Sequence, residues 1–219
     1  MMGRSITARC WLLSLVLVAG QGWAGEAWVG DYRIRDAQGE RALVLVRDDN
    51  RVEYRVAGEP IRVWRQTSDG LELTELYPAE RRRIVYAPGD LRTMELRPDW
   101  AQLTGLVDPA LRTQLAASSG DATAFAQPLT RYRGNDAKGA RVELDWLAEA
   151  GLPARYCTGQ RCGRRRGEEA LSLLNLKSVP AEEAFTPLEG LLEIDHADLG
   201  DMEQDAFVRK LSHAPPPAQ

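Results

Sequence analysis

The 219-residue sequence predicts a mainly β fold. It reads as one curved antiparallel sheet forming an incomplete, half-open barrel, with a short helical insert and a helix near the C-terminus. Three observations predict this. From Trp28 to Arg97, apolar and polar residues alternate with period two between closely spaced turn residues. Over 99–117 the apolar residues switch to helical spacing. Alternation then returns over 127–178.

The elements follow in order. Trp28–Arg35 is a first strand, with Tyr32 and Ile34 on one face, and Gly39 turns into Arg41–Arg47. Strands near 51–57, 60–67, 71–77, 82–87 and 91–97 continue the meander. Gly58-Glu59-Pro60, Ser68-Asp69-Gly70, Pro78-Ala79 and Ala87-Pro88-Gly89-Asp90 separate them, all turn formers. Asp99 then caps a helical segment carrying Trp100, Leu103, Leu106 and Val107. Asp108-Pro109 reads as an N-cap with proline at the first helical position, and Leu111 and Leu115 extend the apolar face until Ser118-Ser119-Gly120 ends it. Strands resume near 127–133, at Val142–Trp146, at Ala154–Thr158 and near 170–178. At about ten or eleven strands, such a sheet closes, splits into a sandwich or curls. A helical insert suits the curled form, because it covers the concave face.

Compartment comes from the first 24 residues. Arg4 and Arg9 precede an uncharged run from Cys10 to Gly20, and Gly22 and Ala24 supply small residues after it. This is the pattern of a secretory signal peptide cleaved after Ala24. A membrane anchor is the other reading, but the run falls short of the roughly 20 residues a span needs. Cleavage lowers the basic count from 28 to 26 against 32 acidic residues, a balance of −6. The product is expected in the periplasm or outside the cell, with residues 25–211 as one domain and 212–219 as a disordered tail. An acidic balance excludes a nucleic-acid partner, which demands a basic face.

Cys157 and Cys162 flank the turn-like insert Thr158-Gly159-Gln160-Arg161. In an oxidising compartment they read as one disulfide closing a hairpin. A redox pair is the alternative, although the spacing is not C-x-x-C. Two thiolates without a nearby histidine give too few ligands for a metal.

Several segments resemble the LolA/LolB-like family of periplasmic lipoprotein carriers and sorting proteins. Val52-Glu53-Tyr54 is similar to the family's strand with an aromatic end. Ser68-Asp69-Gly70 with Leu71, Leu73 and Leu76-Tyr77-Pro78 is similar to its S-D-G…Y-x-P hairpin, and Phe185-Thr186-Pro187 with Gly190 to its late F-x-P…G segment. The resemblance spans about residues 28–195. It implies an incomplete barrel with a helical lid, and a carrier role. Carrier members also place an arginine near the start of the second hairpin that holds the lid closed. Arg47 and Arg51 flank that place here, and neither is singled out. Phenylalanine is scarce, at 3 residues, although the family's cavity is typically apolar.

A binding cavity needs apolar side chains on the concave face. Val52, Tyr54, Ile61 and Val63 are candidates from the first hairpins, with Leu71, Leu73, Ile84 and Tyr86 from those that follow. Trp100, Leu103 and Leu111 are candidates for the lid. The bland alternative is that all of these pack against one another as core. Two basic runs, Arg81-Arg82-Arg83 and Arg164-Arg165-Arg166, sit at hairpin ends, where they either dock on anionic headgroups or an acidic partner, or form solvated loops.

Acidic residues are densest from Asp195 to Asp205. A hard-cation site is conceivable, but the spacing matches a helix start better, with Asp201 and Gln204 as a capping-box-like pair. Asp195 or Asp198 beside His196 lacks an evident nucleophile, and no G-x-S-x-G is present. A pair of glycosidase carboxylates is not visible in a sequence, because such pairing is spatial. The expectation is a monomeric, non-enzymatic carrier without cofactor or metal, which sequesters a lipid or an acylated protein. The other reading is a cell-envelope interaction module that uses its sheet surface and arginine-rich hairpins.

Overall fold

A computed structural model describes residues 25–36, 39–159, 162 and 170–212. The proposed signal peptide, the run Arg164–Arg166 and the tail after Ser212 lie outside the described residues. Among the described residues, twelve strands form one mixed sheet that does not close into a barrel. They are β1 Glu26–Asp36, β2 Gly39–Arg47, β3 Arg51–Val56, β4 Ile61–Thr67, β5 Gly70–Tyr77, β6 Arg82–Tyr86, β7 Ala116–Ala124, β8 Gln127–Asn135, β9 Arg141–Leu147, β10 Leu152–Thr158, β11 Leu171–Pro180 and β12 Leu192–Asp195. Their spatial order is β12-β6-β5-β4-β3-β2-β1-β11-β10-β9-β8-β7.

β1 lies at the centre. β2 flanks it on one side and β11 on the other, so the first strand joins an N-terminal meander to a C-terminal one. The β1–β11 ladder shifts register between Asp31 and Tyr32, a bulge that adds local twist. The sheet curls toward one face. Tyr32, Leu43, Leu45 and Val52 of β1–β3 share a buried cluster with Leu129, Leu147 and Leu152 of β8–β10. Burying each such side chain contributes roughly 1.5–3 kcal/mol. Gly30 admits the ring of Tyr32, because a Cβ there would stand 2.8 Å from the tyrosine Cε2.

Short helices connect the two halves: α1 Pro88–Thr93, α2 Trp100–Gly105 and α3 Pro109–Gln114. The expected caps are present. Asp99 accepts from the Gln102 amide at 2.8 Å, and Asp108 from the Ala110 amide at 2.7 Å. α4 Ala181–Ala184 and α5 Ala206–Ser212 complete the C-terminal segment.

Four expectations are corrected. The strand near 91–97 is replaced by α1, because Pro88 starts a helix and the Asp90 carboxylate accepts from the Ala87 amide at 2.9 Å. Residues 116–124 are an edge strand rather than a helix end, recruited by pairing with β8. The sheet is not wholly antiparallel, since β12 pairs parallel to β6. The C-terminal helix starts after Asp205, whose carboxylate accepts from the Phe207 and Val208 amides at 2.8 and 3.3 Å, instead of at Asp201. The Cys157–Cys162 disulfide is present, and both cysteines are buried.

Candidate functional site

Cross-strand register sorts the predicted cavity residues by face. Val52, Trp64, Leu73 and Tyr86 stand opposite one another in a row across β3–β6. Tyr54, Arg62, Glu75 and Ile84 form the next row on that face, and Leu71 shares it by lying two residues before Leu73. This is the concave face, continuous with the buried cluster. Ile61 and Val63 point the other way: Val63 stands in a row with Glu53, Thr74 and Val85 on the convex face, and Ile61 opposite Leu76. Ile61, Val63 and Trp64 place apolar residues in both phases of β4. Choosing the β-branched phase selects the wrong face, because Trp64 is the inward residue.

The helical insert covers this face. Trp100, Leu103 and Leu106 pack against the concave cluster. Leu111 lies further along, in a second cluster with Val107, Leu144 and Trp146, and Arg112 stacks over the Trp146 ring at 4.2 Å. α2 approaches closely at Gly105, where a Cβ would stand 3.3 Å from Trp146 Cη2.

Polar groups of the sheet hold α2 down. Arg47 projects from β2 on the inward phase set by Leu43 and Leu45. Its Nη1 donates to the Thr104 carbonyl at 3.1 Å and its Nη2 to the Ala150 carbonyl at 2.5 Å. The Tyr54 hydroxyl donates to the Leu103 carbonyl. Burial lowers the Arg47 pKa, with the nearby Tyr32 and Asp49 acting in the opposite sense. Arginine starts so high that the charge remains. Burial also pushes the Tyr32 and Tyr54 hydroxyls far above their ordinary value, so both stay neutral donors. Tyr32 uses its hydroxyl on the Pro153 carbonyl at 3.1 Å. Around these bonds, Trp28, Tyr54, Trp64 and Trp100 are only partly buried, leaving an aromatic rim on an otherwise buried floor.

The sequence reading named Arg47 beside Arg51 without choosing between them, and missed Trp28 and Trp64 as contributors. The signal for Arg47 was present: a charged residue ending an apolar strand in the inward phase needs a polar partner.

At the far end of the same face, Glu75 accepts from the hydroxyls of Tyr77 at 2.9 Å and Tyr86 at 3.2 Å. Burial first, and then the Glu75 charge, drive both phenol pKa values well above normal. His196 stacks on Tyr86 with ring centroids 4.6 Å apart. The basic run nearby is engaged with the C-terminal segment. Arg82 pairs with Asp205 at 3.0 Å, and Arg83 with Glu193 at 2.6 Å. The Arg81 carbonyl accepts from the Leu192 amide at 2.8 Å. Among the acids of the C-terminal segment, Asp195 accepts from the Ala197 amide at 3.1 Å, so it and Asp205 act as helix caps.

No family model matches the chain, and no curated protein matches it. Among solved structures it is similar to an uncharacterized conserved protein from Thermus thermophilus, at 13% identity and a TM-score of 0.44, covering 78% of this chain and 90% of that one. It is also similar to PNGF-II, at 8% identity and a TM-score of 0.39, covering 82% of this chain and 33% of that one, so the match spans about a third of PNGF-II.

Proposed function

We propose that the protein is a cell-envelope binding protein for an apolar acyl chain, carried by a lipid or an acylated protein, in the manner of the LolA/LolB-like carriers its sequence resembles. The chain would lie on the concave face beneath α2. One observation supports this reading above the others. The cover is fastened to its floor by two hydrogen bonds, from Arg47 to the Thr104 carbonyl and from Tyr54 to the Leu103 carbonyl, around a partly exposed rim of Trp28, Tyr54, Trp64 and Trp100.

The magnitudes suit a reversible exchange. Releasing these two hydrogen bonds costs about 2–4.5 kcal/mol, given roughly 0.5–1.5 for the neutral bond and 1.5–3 for the charged one. Burying ten methylenes returns about 8 kcal/mol. An acyl chain of that length therefore outweighs the two bonds by a few kcal/mol, a margin that leaves the exchange reversible. The work is sequestration and transfer without a covalent step.

The test uses the tryptophans. Delipidated protein is titrated with a fatty acid brominated along its chain, which quenches indoles it touches. Saturable quenching is expected, weakened in W64F/W100F, and native mass spectrometry of protein purified from membranes should show a retained acyl ligand. Absence of both quenching and retained ligand would sink the carrier reading.

A further inference from the structure

The convex face carries a second feature, independent of the first. A cleft of about 630 Å³ lies between β3–β6 and the chain around 186–193 that crosses behind them. Its size falls within the roughly 300–1,000 Å³ typical of small-molecule sites. Its far wall is fixed to the sheet by Glu53, a buried carboxylate that accepts from the Thr186 amide at 3.0 Å and hydroxyl at 2.6 Å and from Arg55 at 2.5 Å. Glu53 is thus committed to structure.

The informative residues lie at one end of this cleft. Arg51 and Arg65 stand directly opposite each other in the β3–β4 ladder, and Glu72 is the next partner across on β5. Asp48 lies on the outer side of Arg51, 3.4 Å from its guanidinium, and Glu72 lies 2.7 Å from Arg65. The charges therefore run acid, base, base, acid. Like charges directly opposite in a ladder are unfavourable. Here the pair is held in place, with Arg51 stacked 3.5 Å over the Phe185 ring. Both side chains line the cleft from adjacent strands, and an oxyanion set between them takes charge-assisted hydrogen bonds from both. The flanking carboxylates make the opposite demand, for a cation. A plain dianion satisfies the centre and is repelled by the flanks. A zwitterion satisfies both.

We infer that this cleft binds a head group joining a phosphate to a primary ammonium, as in phosphoethanolamine. The phosphate lies between Arg51 and Arg65, the ammonium lies against Glu72, and the uncharged remainder lies along Val63 and Val85 of the cleft floor. The exposed Arg65–Glu72 pair is replaced at little cost, because surface ion pairs are worth about 0–1 kcal/mol. The ligand comes either as the free molecule or as the head of a phosphatidylethanolamine.

Calorimetric titration of the full chain separates these sources. Phosphoethanolamine is compared with glycerol 3-phosphate, and vesicles of phosphatidylethanolamine mixed into phosphatidylcholine are compared with phosphatidylcholine alone. Expected are saturable binding of phosphoethanolamine, of the mixed vesicles, or of both, a loss of at least tenfold in R51Q/R65Q, and loss in E72Q of the preference over glycerol 3-phosphate. Binding of the vesicles alone assigns the lipid source. R65Q alone, at an exposed side chain, serves if the double variant melts early. No binding of either probe, or binding unchanged in R65Q and R51Q/R65Q, overturns the site. Equal binding of glycerol 3-phosphate by the native protein overturns the zwitterion. Neither result touches the acyl-chain reading on the opposite face.

Discussion

The Arg47 guanidinium donates to the carbonyl of Thr104 at 3.1 Å, which ties the inward face of β2 to the helix that covers it. The same group reaches the Ala150 carbonyl at 2.5 Å, so one side chain holds α2 and the β9–β10 turn together. Gly151 makes room for it, since a Cβ there would stand 2.9 Å from Arg47 Nη2. Replacing Arg47 by alanine strands two carbonyls and is expected to destabilise the cover by about 2–4 kcal/mol. Hydrogen exchange should accelerate at the amides of residues 103–106, with the strands of the meander unaffected. Unchanged protection there would mean that apolar packing alone retains α2.

Acid should weaken the convex face of the other half of the sheet. Glu143 is buried between Arg141, 2.7 Å from it, and Arg155, at 3.0 Å. Burial by itself raises its pKa, but hydrogen bonds from the two arginines and the surrounding positive charge outweigh that and leave it below the ordinary 4.5. A folded-state pKa below the unfolded one gives stability that is complete above the unfolded value and is lost as pH falls through the folded one. Stability should therefore decline below about pH 4.5. In E143Q the decline should be shallower, measured as the pH dependence of the urea midpoint. Equal slopes in both proteins would show that other carboxylates govern the acid limb.

The fold was legible wherever one physical signal dominated. Period two with turn residues marks β1–β6 and β8–β11, and Asp99 and Asp108-Pro109 mark the helix starts. It was illegible where tertiary pairing decides. Ala116–Ala124 carries small, polar residues of low strand propensity, and it is a strand because β8 offers it a ladder. β12 has four residues and pairs parallel to a strand over a hundred positions earlier, a contact that no local pattern announces. For the candidate site, the sequence supplied the concave row except in β4, where both phases are apolar. The convex cleft needed register: Arg51 and Arg65 are neighbours only once β3 and β4 are aligned.

Neither Cys157 nor Cys162 should react with a thiol reagent in the native protein, because both are bonded and buried. Opening a loop this short removes about 2 kcal/mol on the chain-entropy model. C157S/C162S should therefore lower the melting temperature by several degrees and leave the far-ultraviolet spectrum unchanged. Ready labelling without reductant would restore the redox reading.

The β7–β8 hairpin turns on Phe125 and Ala126, both in the left-handed region with φ of 52° and 59°. Ala124 and Gln127 pair directly across, so the loop has two residues. Positive φ at both positions is the requirement of a type I′ turn, for which Asn-Gly is favoured. A residue with a Cβ costs roughly 1–2 kcal/mol in that region. Glycine relieves the strain but adds roughly 0.5–1 kcal/mol of unfolded-state freedom. A126G should then stabilise by about 0.5–1 kcal/mol, and F125N/A126G somewhat further, read as a rise in the urea midpoint. The two substitutions separate backbone from side chain. If A126G stabilises and F125N reverses the gain, the Phe125 ring contributes more by packing than its backbone loses by strain. If A126G itself lowers the midpoint, relief of strain at this turn does not exceed the entropy that glycine restores to the unfolded chain.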